Sequence, residues 1–195
     1  MNILLHACCA PCTAGTLSVL CEEAIYPVLY WNNPNIHPFR EYEARLGALR
    51  QYAQTIHVPL IVDGSYGLRA FLEKTSPSGA GRCTVCYAMR LSQAARHAAK
   101  EGFDAFTTTL LVSPMQNREA ILEAGREAAA REGIAFLERD FRPGYEAGRQ
   151  EVRDLDLYMQ KYCGCIFSEE ERYKTRAARI QTGFFANFGS APERP

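Results

Sequence analysis

The chain has 195 residues, enough for one sizeable core and too few for two large domains. Apolar residues make up 47% and charged residues 23%, and no apolar run reaches the length that crosses a bilayer, which excludes a helical membrane protein. Lys plus Arg balance Asp plus Glu at 22 each, which excludes a uniformly basic nucleic-acid coat but leaves room for a local basic patch such as Arg172–Arg179.

In chain order, Asn2–His6 reads as a short buried strand, and no basic stretch precedes it, so a secretory signal is not expected and the reading is cytoplasmic. Pro11 stands where a first helical turn accepts proline, and Leu17, Leu20 and Cys21 follow at helical spacing, with Cys21 on the apolar side. Ile25–Trp31 is a second strand, closed by Asn-Asn-Pro-Asn. Phe39, Tyr42, Leu46, Leu49, Ala53 and Ile56 then recur at gaps of three and four, which predicts an amphipathic helix. Pro59–Asp63 is a third strand, Tyr66–Lys74 a short helix and Ser76–Gly81 a loop. A helix starts just after Arg82 and ends at Gly102. Phe103–Leu111 is a fourth strand, Ser113-Pro114 opens a helix that ends near Gly133, and Ile134–Glu138 is a fifth strand. From Phe141 onward the pattern is helices and loops, with Gly189–Pro195 read as a disordered tail after a single domain over residues 1–188. Strands alternating with helices predict an α/β, Rossmann-like, mainly parallel sheet covered on both faces, with a helical C-terminal segment. Such sheets carry their sites beyond the carboxyl ends of the strands. No Gly-rich phosphate loop follows the first strand; that turn holds His6-Ala7-Cys8-Cys9-Ala10-Pro11-Cys12 instead.

Seven of the eight cysteines fall in three tight groups: Cys8, Cys9 and Cys12; Cys83 and Cys86; Cys163 and Cys165. Adjacent cysteines rarely pair, and a disulfide framework does not suit a reducing compartment, so metal binding or redox chemistry leads. C-x-x-C lets two thiolates reach one metal, and C-Gly-C allows a similar chelate because glycine tolerates unusual backbone angles. Seven thiols exceed one four-ligand site. They fit four plus three, a closed mononuclear centre beside an iron–sulfur cluster with one iron not held by cysteine. Two zinc sites completed by His6 or an aspartate fit the count almost as well. Isolated Cys21 is expected to pack as a small hydrophobe, and His37, His57 and His97 read as structural.

HACCAPC, GRCTVCYAMRL, TTTLLVSPMQN, Asp140–Gly144 and YMQKYCGCIFS together resemble the cobalamin-independent epoxyqueuosine reductases, the QueH family, from Ile3 to about Arg179. The resemblance implies a Rossmann-like fold akin to the HUP and PP-loop group. It implies a 4Fe-4S cluster beside a single metal, iron or zinc, held by the conserved cysteines. It also implies the last step of queuosine synthesis: the epoxide of epoxyqueuosine at the tRNA wobble position is reduced with two electrons from an external donor. Tyr87, Asp140 and Tyr162 are candidates for the acid that protonates the departing oxygen, although an Asp140–Arg142 pair is as good a reading of that carboxylate.

A base in an anticodon loop must leave its stack to reach such a site, and single-stranded RNA is held by aromatic stacking and phosphate contacts. Trp31 is a candidate stacking platform or a loop anchor, and Arg82, Arg90 and Arg142 are candidate substrate contacts or helix-end pairs. Hydroxyls of Thr107–Thr109 and Ser113 stand near the expected pocket. The alternatives are a non-catalytic zinc or iron–sulfur module that binds RNA or protein, and an ATP-using tRNA-modifying enzyme of PP-loop type. The missing phosphate loop speaks against the latter.

Overall fold

The computed structural model describes residues 1–64 and 66–186, so the expected tail Gly189–Pro195 lies outside the described residues. Ile3–His6 forms β1 and is buried at every position, as a central parallel strand requires. It is followed by α1 (Ala10–Glu22), β2 (Val28–Trp31), α2 (Phe39–Thr55), β3 (Leu60–Val62) and α3 (Leu68–Thr75). The second half runs α4 (Arg82–Lys100), β4 (Ala105–Thr108), α5 (Arg118–Glu132), β5 (Ala135–Phe136), α6 (Tyr145–Asp154) and α7 (Ile166–Ala186). The five strands lie in the order β3-β2-β1-β4-β5, and every pairing is parallel. β1 registers Leu4 against Val28 on one side and against Phe106 on the other. The chain leaves β1 first toward β2 and later returns to its other side as β4. The crevice beyond β1 and β4 is therefore the switch point at which such sheets bind ligands.

Three expected elements differ locally. The fourth strand stops at Thr108, because the Thr108 hydroxyl accepts from Leu110 N (3.1 Å) and turns Thr109–Val112 into a 3₁₀ segment. The following helix begins at Arg118 instead of Ser113, where Asn117 caps it by accepting from Ala120 N (3.2 Å). Ser76–Gly81 is a pair of 3₁₀ turns broken at Gly79, whose φ of +50° suits glycine.

The C-terminal part is fastened to the body by glycines. A Cβ on Gly148 of α6 would lie 2.1 Å from the backbone N of Gly15 in α1, and one on Gly144 would lie 1.9 Å from the Gly15 carbonyl oxygen. Only bare backbone permits α1 and α6 to touch this closely. That contact brings the start of α6, with Tyr145 and Arg149, beside Cys12.

Candidate metal centre

Cys9 is the extended residue before α1 (φ −174°, ψ 163°), and Pro11 occupies the first turn. Cys8, Cys9 and Cys12 thus curl over the carboxyl end of β1, with all three sulfurs within 4.8 Å of one another. All eight cysteines are free. Hydrogen-bond donors converge on this sulfur. The Thr109 hydroxyl donates to Cys8 Sγ (3.2 Å), and Gln160 Nε2 donates to Cys9 Sγ (2.9 Å) and reaches toward Cys12 Sγ (3.9 Å). Hydrogen bonds from Cys12 and Cys9, helped by Arg90 and Thr109, hold the Cys8 thiol well below its ordinary pKa. Cys12 and Cys9 are pushed up, Cys12 chiefly by Cys8 and Cys9 and Cys9 chiefly by burial.

Cys83 and Cys86 sit on the first turns of α4, and Cys163 and Cys165 precede α7. Among the described residues these four do not come as close as Cys8, Cys9 and Cys12 do, but their charges reach one another. Cys83 and Cys86 both feel the charge of Cys163 and Cys165, and burial pushes the Cys86 thiol up to about 12. Gln116 Nε2 donates to Cys163 Sγ (3.4 Å), and Ser168 N donates to Cys165 Sγ (3.4 Å).

Two buried arginines stand among the sulfurs. Arg90, only 2% exposed, faces Cys86, Cys8 and Cys163, and so links the two sulfur groups. It donates to Asn33 Oδ1 (2.7 Å), while Asn33 Nδ2 donates to the Ala7 carbonyl beside Cys8 (2.9 Å). Among the described residues, no carboxylate lies within ion-pair distance of its guanidinium, and its Nε has no partner. Arg45, also 2% exposed, pairs with Glu41 (2.7 Å) and donates to the carbonyls of Tyr162 and Cys163 (both 2.9 Å). It therefore fixes the backbone that presents Cys163.

A cavity of about 440 Å³ opens onto Cys8, Cys12 and Cys163, with Thr109, Ser113, Gln116, Gln160 and Tyr162 among its walls. A set of free thiols, with N–H and O–H donors aimed at them and two buried cations between them, is the environment that stabilises thiolates bound to metal. The donor set fits a sulfur-ligated metal.

The epoxyqueuosine reductase QueH family model matches residues 3–171. The chain belongs to this family. It is 39% identical to the epoxyqueuosine reductase QueH of Dehalococcoides mccartyi, over 88% of this chain and 94% of that one. The Thermotoga maritima relative of the same name is 33% identical, with 90% and 94% covered. A solved structure titled as a predicted subunit of tRNA methyltransferase from Methanocaldococcus jannaschii shares the fold, with a TM-score of 0.51 at 11% identity over 91% of this chain and 89% of that one.

The other sequence candidates divide sharply. Trp31 is 0% exposed, donates to the Tyr42 hydroxyl (3.1 Å) and packs edge-on against its ring, so it is a core anchor and cannot stack on a base. Asp140 and Arg142 form an exposed two-bond pair (2.8 and 2.6 Å), and neither is among the residues lining the cavity. Arg142 holds the Asp140 carboxyl at about 2, so it is ionised near neutrality and has no proton to give. Arg82 is paired with Glu171 and lies over the Phe167 ring (5.4 Å), tying α4 to α7. Tyr87 donates to Gln116 Oε1 (2.7 Å), and Gln116 in turn donates to Cys163, so Tyr87 orients a sulfur partner. Tyr162 lines the cavity and donates to the His37 carbonyl (2.6 Å). Cys21 is exposed, not packed, because α1 turns that position outward.

Arg45, Gln116 and Gln160 were not expected from sequence. Glu41 and Arg45 have the i,i+4 spacing of an ordinary solvated helix pair, and nothing local marks Arg45 as buried. The two glutamines lie within the TTTLLVSPMQN and YMQKYCGCIFS motifs, so nearness to sulfur was the available signal.

Proposed function

We propose that this chain reduces the epoxide of epoxyqueuosine in tRNA to the alkene of queuosine, in the cytoplasm, with Cys8, Cys9, Cys12, Cys83, Cys86, Cys163 and Cys165 holding a 4Fe-4S cluster and a neighbouring iron. The observation that carries this reading, beside family membership, is that free thiols from both ends of the chain converge on one cavity at the sheet's switch point. The bound metals would supply electrons singly and a Lewis acid for the oxirane oxygen. The protein's own part is to hold and shield. Thr109, Gln160 and Gln116 orient the sulfurs, and Arg90 and Arg45 offset the thiolate charge. The cavity is wide enough for a base turned out of its stack. Tyr162 is the acid we favour. It lines the cavity, and burial pushes its pKa up, so it stays protonated near neutrality; its O–H is given to the His37 carbonyl here (2.6 Å) and must turn from it to reach an alkoxide-like oxygen. An external donor supplies two electrons, and with two protons, one from Tyr162 and one from solvent, the oxygen leaves as water.

The test is anaerobic reconstitution with iron and sulfide, followed by mass spectrometry of nucleosides from epoxyqueuosine-containing tRNA under a chemical reductant. Conversion to queuosine is expected from the wild type. Cys83→Ser and Cys163→Ser are expected to lose it while keeping the wild-type far-ultraviolet circular dichroism. Tyr162→Phe should lower kcat by about 100-fold or more with iron content unchanged, the range typical of a lost general acid. Full turnover in both cysteine variants removes the assigned site.

A further inference from the structure

The mouth of the sulfur cavity is cationic, and among the described residues two of its three rim cations make no ion pair. Arg149 on α6, Lys161 in the segment before Cys163, and Arg172 on α7 all line it. Among the described residues, Lys161 and Arg172 make no ion pair. Arg149 has only a loose contact to Glu146 at 3.9 Å, its Nη1 donates to the Tyr145 hydroxyl (3.1 Å), and its Nε is buried without a partner. The single carboxylate lining the cavity, Glu171, is already taken by Arg82. Gathering Lys161 and Arg172, which make no ion pair, and Arg149, whose contact to Glu146 is long, at one opening favours an anion arriving there.

We propose that Arg149, Lys161 and Arg172 form a rim that binds the backbone phosphates flanking the nucleotide whose base enters the cavity. The occupant is single-stranded RNA, the loop on either side of the target. The rim draws residues from three elements, α6, the loop and α7, so it can contact the strand on more than one side of the opening. These are not the arginines that sequence alone suggested. Arg82 and Arg142 are engaged with acids, and Arg90 is buried among sulfurs. The rim contacts phosphate and not the base, so it sets affinity and register without taking part in the reduction. This inference rests on the tRNA reductase reading, and its test separates the two.

The experiment measures binding of a fluorescent anticodon stem-loop RNA to the iron-reconstituted protein across a KCl series. Each phosphate contact adds about 0.7 to the slope of log Kd against log salt for a single strand. Arg149→Gln, Lys161→Gln and Arg172→Gln are each expected to lower that slope by about 0.7, and the triple variant by about 2. KM for the RNA should rise and kcat at saturating RNA should hold, with iron content and visible spectrum unchanged. Lys100→Gln, on an exposed side chain at the far end of α4, controls for net charge and should leave the slope alone. If the triple variant fails to load iron, the single variants decide. An unchanged slope in all three, or an equal loss in Lys100→Gln, overturns the rim, and the reductase reading then stands on wild-type turnover. A wild type that shows the slope changes but no conversion of epoxyqueuosine overturns the reductase reading and leaves the rim as an RNA site.

Discussion

Replacing Arg45 with methionine tests how the third sulfur group is held. The guanidinium is 2% exposed and the Glu41 carboxylate 9%, so the substitution leaves a buried carboxylate whose remaining partner is the Tyr158 hydroxyl. Breaking a buried pair from one side costs about 3–5 kcal/mol, most of it from the charge left behind. The carbonyls of Tyr162 and Cys163 also lose their donor, which adds to the cost. For a chain of this size the melting temperature should fall by roughly 10 °C. Urea unfolding of the metal-free protein gives the stability, and iron per chain after reconstitution gives the functional consequence, because the loop that presents Cys163 is loosened. Glu41→Gln combined with Arg45→Met should be more stable than Arg45→Met alone, since it removes the stranded charge and keeps an acceptor for Tyr158. An Arg45→Met protein within about 1 kcal/mol of wild type refutes the buried-pair reasoning. A double variant no more stable than the single one refutes it too.

Gly148→Ala forces a methyl to within 2.1 Å of the Gly15 backbone, so α6 must shift off α1; a loss of about 1–3 kcal/mol in urea unfolding is expected. The same variant should weaken RNA binding, because α6 carries Arg149. Burial lowers the His37 pKa from 6.5 to about 4, so the unfolded chain takes up a proton that the folded one refuses. Stability should therefore fall as pH drops from about 6.5 toward about 4, and His37→Gln should flatten the pH dependence of the urea midpoint across that window. Arg90→Met is expected to cut iron loading severalfold and, because the buried Asn33 Oδ1 loses its donor, to cost the metal-free protein about 1–3 kcal/mol in urea unfolding.

The sheet was legible because parallel strands buried on both faces must be short continuous apolar runs, and Ile3-Leu4-Leu5 and Val28–Trp31 are such runs. One cysteine group, Cys8, Cys9 and Cys12, was legible in place for a related reason: it followed the first strand, where an α/β sheet places its ligands. The contents of the site were less so. Trp31 read as either a stacking platform or a loop anchor, and the structure gives an anchor, fully buried and covered by Tyr42. Arg90 read as a substrate contact or a helix-end pair, and Arg45 drew no reading at all. Arg90 is buried beside cysteines from distant parts of the chain, and Arg45 against Glu41 and the carbonyls of Tyr162 and Cys163. Cys21 was misplaced by a periodicity argument that cannot tell the edge of an apolar face from its centre. The α1–α6 contact left almost no trace, since glycine in a helix gives no sign of whether it marks weakness or close approach.

The arginines also explain why so much sulfur can be gathered in a chain with no net charge. A buried cation normally needs a carboxylate, and Arg45 has one in Glu41. Arg90 has none among the described residues; what surrounds it is Cys86, Cys8 and Cys163. Its counter-ions must then be thiolates, and thiolates in such number persist in a buried setting only when a metal shares their charge. In the proposed site, Arg90 would add to the hydrogen bonds from Cys12 and Cys9 that favour ionisation at Cys8. With metal bound, the same guanidinium would offset thiolate charge from Cys8 and from Cys86 and Cys163 alike. One side chain from α4 thus serves both halves of the site, and this is why it lies at the switch point and not on the rim.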